Sequence, residues 1–333
     1  MRSFFSLALA GAASATVMTA NDYDFLNFVA THNKRYDTVE EFNARKEIFA
    51  ETTRQIAALN HENATSTHGH NKFSDWTREE YEGLMGLKDM PMEQQNAPMH
   101  AAPQGYQPQV NGVDWVSAGW TTPVKNQEQC GSCYAFSATE ELESVWAITA
   151  NDKSQLYVLS PQQIVSCSES FGNQGCNGGW YYYAWNYLQT INQDLESVYP
   201  YKSGFGTVPA CNAQPGGPAG VTPNSTYYYQ VNADTASAQS ALDGRPLSIA
   251  IHAANYSFQT YTSGVITSGC GWIVDHAVQA VGYGNENGTD YFLVRNSWGS
   301  SWGDNGYVKI GASTGSIGVC GMYQVMQYVV SAN

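Results

Sequence analysis

Cysteine placement is the strongest constraint on this chain. All seven cysteines, at 130, 133, 167, 176, 211, 270 and 320, lie after residue 129. If every possible pair forms, an odd number leaves one thiol free. The chain therefore divides into a cysteine-free N-terminal part and a C-terminal part in which disulfides are expected. The stretch QEQCGSCYAFS, residues 127–137, sharpens the question, because Cys130 and Cys133 stand in Cys-x-x-Cys spacing. That spacing serves a redox pair, half of a zinc site, or one disulfide cysteine beside one reactive thiol. No second Cys-x-x-Cys and no His-x-x-x-His follows at finger spacing, so no metal is expected.

The N-terminus points to an oxidising compartment. In MRSFFSLALAGAASA a single basic residue, Arg2, precedes an apolar run from Phe4 to Ala13, and Ala13-Ser14-Ala15 fits a small-x-small cleavage site. This predicts a signal peptide over residues 1–15, since the run is shorter than the roughly 20 residues that a membrane span requires. No later segment is long and apolar enough to span. A secretory route weakens the redox reading of the Cys-x-x-Cys. Sequons at Asn63, Asn224, Asn255 and Asn287 fit the same route. The expected destination is a lysosome, an acidic vacuole or the exterior. With 15 Lys and Arg against 29 Asp and Glu, a net charge of -14, nucleic acid and anionic membrane surfaces are poor partners.

Residues 22–87 read as helical and highly charged. Glu41, Arg45, Ile48, Phe49, Thr52, Ile56 and Leu59 recur at three- and four-residue spacing and mark one face of a long helix. Residues 88–110, rich in Pro, Gln, Met and Ala without periodicity, read as an exposed, cuttable linker. Residues 111–333 form the cysteine-bearing part. There, YAFSATEELESVWAIT reads as a helix with Cys133 at its N-terminal end. Phe136, Leu142, Val145, Trp146 and Thr149 would form its buried face. The dipole and free N–H groups at that end favour a thiolate, so the Cys133 pKa is expected to fall. Around VDHAVQAVGYGNENGTDYFLVRNSWG the alternation predicts two strands joined at GNENG. With the turn centred on residues 286 and 287, His276 falls opposite about residue 297, near Asn296. The Asn296 oxygen would then accept the Nδ1–H of His276 and fix its tautomer. Trp298 would cover that contact and exclude water.

On these stretches the chain resembles the papain family of cysteine proteases, close to the cathepsin L branch. The resemblance rests on GVDW (112–115), PVKNQEQCGSCYAFS (123–137), GCNGGW (175–180), VDHAV (274–278) and NSWGSSWGDNGY (296–307), in that order, and spans roughly Asp22 to Val330. It implies an α+β, two-lobe fold: a helical left lobe, a β-barrel-like right lobe, and an inhibitory helical propeptide in front. It implies that Cys133 is the nucleophile, His276 its ion-pair partner and general acid, Asn296 the orienting group, and Gln127 an oxyanion donor beside the Cys133 backbone N–H. It implies disulfides Cys130–Cys176, Cys167–Cys211 and Cys270–Cys320, leaving Cys133 free. Gly178 and Gly179 would pair with an extended substrate. Trp180, Tyr181, Ala250, Val274, Ala277 and Val325 would line the second subsite, all apolar or aromatic, so a hydrophobic P2 residue is expected. Asp275 would modulate His276 in a minor way.

The resemblance extends to the N-terminal part. The pattern Glu-x3-Arg-x3-Phe-x2-Asn-x3-Ile-x3-Asn maps onto Glu41, Arg45, Phe49, Thr52, Ile56 and Asn60, with Thr52 departing. Gly69, Asn71, Phe73 and Asp75 complete Gly-x-Asn-x-Phe-x-Asp. This segment would lie reversed in the cleft, with maturation between about Met99 and Asn111. Tyr134 stands where many relatives have Trp. No His occurs from 177 to 251, against an occluding loop, and the N-terminal part has no cysteine, against an aminopeptidase mini-chain, so an endopeptidase acting on proteins and peptides is expected. No cofactor is expected, and a monomer is. A catalytically dead binding module and an inhibitor acting through the N-terminal part are the other classes, and the intact Cys133, His276, Asn296 and Gln127 set argues against the first. His61, His68 and His70 read as a polar, solvated loop that could sense pH rather than hold a metal.

Overall fold

A computed structural model describes residues 18–62, 65–87, 97–223, 226–313 and 315–332. The signal-peptide segment, residues 88–96 of the linker and the sequons at Asn63 and Asn224 fall outside these residues.

The N-terminal part opens with α1 (Ala20–Thr31), where Thr19 and Asp22 cap each other's backbone N–H groups reciprocally. The chain turns into α2 (Val39–Glu62). Phe25 and Phe28 of α1 pack with tilted rings against Phe49 of α2, with centroids 5.4 and 4.9 Å apart, and form a small core of their own. Of the expected α2 face, Phe49 and Thr52 are fully buried and the others half-buried. After β1 (Ser66–His68) comes α3 (Arg78–Glu82), again opened by a reciprocal cap, Thr77 with Glu80. Arg45 of α2 pairs with Glu80 at 2.6 Å, and Lys34 and Tyr36 both reach the Asp75 carboxylate, at 2.6 and 2.8 Å.

β2 (Met99–His100) lies in the linker, and the C-terminal part begins with β3 (Val113–Asp114). The long helix α4 (Cys133–Ala150) follows, then α5 (Pro161–Cys167) and α6 (Tyr181–Leu188). The rest is mainly β: β4 (Tyr228–Val231), α7 (Thr235–Leu242), β5 (Leu247–Ile251), α8 (Tyr256–Gln259), β6 (Tyr261–Ile266), β7 (His276–Glu286), β8 (Thr289–Arg295), β9 (Tyr307–Gly311) and β10 (Met326–Val329). The strands form an open path, β1-β6-β9-β8-β7-β5-β10-β4-β2, with β3 paired to β7. Its edges are β1 and β2, which do not pair with each other. Helices α4–α6 thus gather on one side, and most strands with α7 and α8 on the other, each side with its own buried cluster. The two clusters meet along α4 and β7, where the site lies.

The β7–β8 hairpin turns at Asn287–Gly288, both with positive φ (52° and 85°), one residue later than the sequence pattern implied. The register slips once between Ala280 and Gly282. Residues 97–110, expected as free linker, run along the C-terminal part instead. β2 pairs in parallel with β4, and Tyr283 Oη accepts from Gln109 N at 2.9 Å. The ladder satisfies backbone groups while most side chains stay exposed. Three disulfides join Cys130 to Cys176, Cys167 to Cys211 and Cys270 to Cys320, and Cys133 is the free thiol.

Candidate active site

Cys133 is the first residue of α4 and His276 the first of β7, so each lies at the end of a rigid element. Cys133 Sγ accepts a hydrogen bond from Ala277 N at 3.4 Å. His276 Nε2 lies 2.8 Å from Asn296 Oδ1. The sequence reading placed this bond on Nδ1. Instead the ring is turned so that Nε2–H donates to Asn296 and buried Nδ1 has no hydrogen-bond partner. Asn296 Oδ1 also accepts from Ser297 N at 2.8 Å, which holds the amide in place. Trp298 lies over the imidazole, centroids 4.9 Å apart, and is itself buried.

Gln127 is fully buried. Its Nε2 donates to the carbonyl oxygens of Cys130 (2.8 Å) and Leu84 (2.9 Å), and its Oε1 accepts from Ser297 Oγ at 2.7 Å. The Leu84 contact comes from the N-terminal part, which runs through the cleft as Leu84-Met85-Gly86-Leu87. Gly86 O accepts from Gly179 N at 2.8 Å, and Leu87 N donates to Asp275 O at 3.0 Å. Leu87 pairs in parallel with Gly179 and joins the apolar cluster that holds Cys133, Trp180, Tyr181, Ala250, Ala277 and Val325, with Val274 packed on it. The apolar positions expected at the second subsite and Leu87 thus share one buried cluster. Gly178 lies beside them at φ 108°, where its carbonyl accepts from Gln174 N.

The geometry agrees with what known proteins show. Residues 110–330 match the family model described as papain family cysteine protease, and residues 25–81 match the cathepsin propeptide inhibitor domain. The chain belongs to the papain family. It is a cathepsin L-like cysteine endopeptidase, made as a zymogen with its own inhibitor propeptide. It is 37% identical over 316 residues to digestive cysteine proteinase 2 of Homarus americanus, covering 91% of this chain and 93% of that one. It is 36% identical over 337 residues to cysteine proteinase 3 of Dictyostelium discoideum, covering 98% and 96%. Its structure resembles that of digestive procathepsin L 3 from Tenebrio molitor larval midgut, with a TM-score of 0.79, 31% identity, and 94% and 100% of the two chains covered.

The propeptide motifs have a physical role in docking. Asn71 Nδ2 donates to Gln259 O at 2.6 Å, and Gln259 Nε2 returns a bond to Phe73 O at 3.0 Å. Phe73 packs edge-on against Trp298 with centroids 5.3 Å apart. β1 extends the papain-like sheet as an antiparallel neighbour of β6. Of the three histidines that the sequence placed in a solvated loop, only His68 is buried. His68 is buried on β1 between Ser66 Oγ and Thr260 Oγ1, and His70 stacks on Phe49 with centroids 4.1 Å apart. His61 and His70 remain exposed.

Electrostatics in the zymogen also differ from expectation. Burial pushes the Cys133 thiol up to about 11, although bonds from the backbone N–H groups of Ala277, Gly86 and Tyr134 oppose the rise. Burial pushes His276 down to about 4, against the bond to Asn296. The thiol at a helix N-terminus was expected to fall. With the propeptide excluding water, desolvation outweighs the dipole, and both groups are held neutral. Asp275 was expected to tune His276. Its carboxylate instead turns away and accepts from Ala253 N (2.7 Å) and Ala254 N (3.2 Å). Tyr134 fills the position behind the thiol and donates its hydroxyl to Gly175 O at 3.0 Å.

Sequence reasoning missed Ser297, whose hydroxyl orients Gln127. Its place between Asn296 and Trp298 was the one available signal. It also missed Glu140, Glu141 and Glu143, which are buried on α4 rather than forming a solvated face. Glu140 pairs with Arg295 at 3.3 Å and Glu143 with Lys125 at 2.9 Å, while Glu141 accepts from Ser248 N and Val329 N. Among the described residues no helix is long and apolar enough to cross a membrane.

Proposed function

We propose that the mature enzyme cleaves peptide bonds with Cys133 as nucleophile and selects a hydrophobic or aromatic residue at P2. Once the propeptide leaves, water reaches the cleft and the desolvation that holds both groups neutral is relieved. Transfer of the Cys133 proton to His276 Nδ1 then gives a thiolate and an imidazolium, the latter held by Asn296 through Nε2–H. The thiolate attacks the substrate carbonyl carbon. The developing oxyanion takes hydrogen bonds from Gln127 Nε2 and the Cys133 backbone N–H. His276 gives its proton to the departing amine, leaving a thioester. Water, deprotonated by His276, then hydrolyses the thioester and frees the thiol.

One observation carries the specificity: Leu87 is seated in the apolar pocket while the Leu84 carbonyl rests on Gln127. A substrate presents its P2 residue before the carbonyl under attack, whereas here the carbonyl precedes the pocket residue. The propeptide thus occupies the same two places in reversed order, which separates its peptide bonds from productive alignment. None of the pocket side chains is acidic, so a basic P2 would lose hydration without a counter-charge. We assign the enzyme, on the same reading, to an acidic compartment of the secretory pathway or to the exterior, and to a monomeric state.

The test is an incubation of the proenzyme and its Cys133→Ala variant at mildly acidic pH with fluorogenic peptides that differ only at P2. Activity from the wild-type chain alone, falling at least tenfold from Phe or Leu to Arg at P2, is the expected result. Equal rates across P2 would sink the specificity reading.

A further inference from the structure

A second cavity, of about 240 Å³, shares no residue with the pocket that holds Leu87. It is lined by Glu128, Gln129, Phe205 and Trp298 of the catalytic part and by Lys72 and Trp76 of the propeptide, among others. The propeptide crosses this cavity before its Leu84 carbonyl reaches Gln127, and fills the Leu87 pocket afterwards. Because it runs reversed, the cavity lies where the amine-side residues of a substrate would go.

Three features suit this cavity to a cation, and one works against it. Lys72 already occupies it: Nζ donates to Trp298 O at 2.6 Å and stands 5.0 Å from the Phe73 ring centroid. Packing of the propeptide desolvates Lys72 and works against its charge there, and Glu128 is the group that opposes this by favouring the ammonium. Glu128 has φ 53°, a conformation that a bulky charged residue rarely adopts, next to Gln127. Its carboxylate lies against Gly204, where an added Cβ would collide with it. Finally, Phe205 at the rim is 86% exposed, a large aromatic face without cover.

We propose that Glu128, Phe205 and the Trp298 carbonyl form a subsite for a lysine or arginine at the first or second residue after the scissile bond, and that Lys72 is its occupant in the zymogen. A substrate's charged head would reach both the Glu128 carboxylate and the Trp298 oxygen, of which Lys72 bonds the latter, and its aliphatic stem would lie along the Phe205 ring. The inference rests on Gln127 marking the reacting carbonyl, as argued above.

The experiment uses mature enzyme released from the full chain and a peptide library made by digesting a bacterial lysate with a glutamate-specific protease. Cleavage sites are read by mass spectrometry, so P2 and the amine-side positions are scored separately from the same cuts. Wild type is expected to enrich Lys and Arg at one of the first two amine-side positions about two- to fivefold over the library, as suits a partly exposed charge pair. Glu128→Gln should return that position to background, and Glu128→Lys should deplete Lys and Arg there. A flat wild-type profile, or enrichment unchanged in Glu128→Gln, overturns the proposal. A flat P2 profile overturns only the P2 specificity argued above, so the two failures are distinct.

Discussion

Gln127 Nε2 donates to the Leu84 carbonyl oxygen at 2.9 Å, so the zymogen's own backbone sits on the group that would receive a substrate oxyanion. On the proposed mechanism, the propeptide therefore engages an oxyanion donor rather than merely covering it. Two residues on, Gly86 passes so close to the thiol that an added Cβ would lie 3.0 Å from Cys133 Sγ and collide with the Gly131 carbonyl. Only a glycine lets the backbone approach this closely.

Gly86→Ala should therefore loosen the propeptide at its tightest point. Overpacking of this kind costs about 1–3 kcal/mol, or roughly a five- to 150-fold weaker closed state. The expected outcome is a proenzyme that binds an active-site titrant at neutral pH, where the wild-type proenzyme does not. Equal titrant uptake by the two chains would show that Gly86 does not control closure.

Ser297 acts on the same donor from the other side. Its hydroxyl holds Gln127 Oε1 at 2.7 Å and so aims Nε2 into the cleft. Ser297→Ala leaves that oxygen buried and unpartnered, which costs about 1–3 kcal/mol. We expect kcat to fall by about ten- to 100-fold with KM little changed, since Gln127 acts on the charge that develops in the transition state. Gln127→Ala should lose about 100- to 1000-fold. Partial recovery in Ser297→Thr would separate orientation from a general packing defect; an unchanged kcat in Ser297→Ala would remove Ser297 from the mechanism.

Much of the fold and the site was legible because local patterns bound it tightly. The Cys133 helix and the β7–β8 hairpin follow from periodicity and turn residues, and those two elements bring Cys133, His276 and Asn296 together. The ring face of His276 was not legible. Either nitrogen could bond Asn296, and the choice depends on how β7 enters from the loop before it. The buried glutamates were hidden for a different reason. Glu140 and Glu141 look like a solvated face until β5, β8 and β10 pack against α4 from more than 100 residues away in sequence, while Glu143 is covered by the nearer Thr122, Lys125 and Leu159. The same holds for His68, whose polar surroundings in sequence give no hint that β1 pairs with β6 and buries it.

That placement of His68 sets a pH dependence. Burial lowers its pKa below the ordinary 6.5 while the propeptide is docked. As pH falls through 6.5, a detached propeptide takes up a proton that the docked one does not, so docking weakens progressively towards the docked value. Above 6.5 His68 is neutral in both states and contributes no pH dependence. His68→Gln should shift the midpoint of zymogen activation to lower pH, by about half a unit. Activation profiles that superimpose would exclude His68 as a sensor.

The buried glutamates give the catalytic part the opposite response. Burial raises Glu140 to about 7, despite Arg295, and Glu141 to about 8, despite its two backbone donors. Both values exceed the ordinary 4.5, so between 4.5 and about 8 the folded state binds protons that the unfolded chain does not. Stability from these groups is fully present in acid and is lost as pH rises through 7 and 8. Mature Cys133→Ala, prepared by cleavage with wild-type enzyme so that it cannot digest itself, should melt several degrees higher at pH 5 than at pH 8, a shift of the size about 1–2 kcal/mol produces in a domain of this length. Glu141→Gln removes one of the titrating groups while keeping an oxygen for Ser248 N or Val329 N. It should narrow the gap between the two melting temperatures by about half, in proportion to its share of the proton uptake. A gap that Glu141→Gln leaves intact would mean that the buried carboxyl is not what couples this fold to acid. Acid would then release the propeptide without also stabilising the enzyme through this residue.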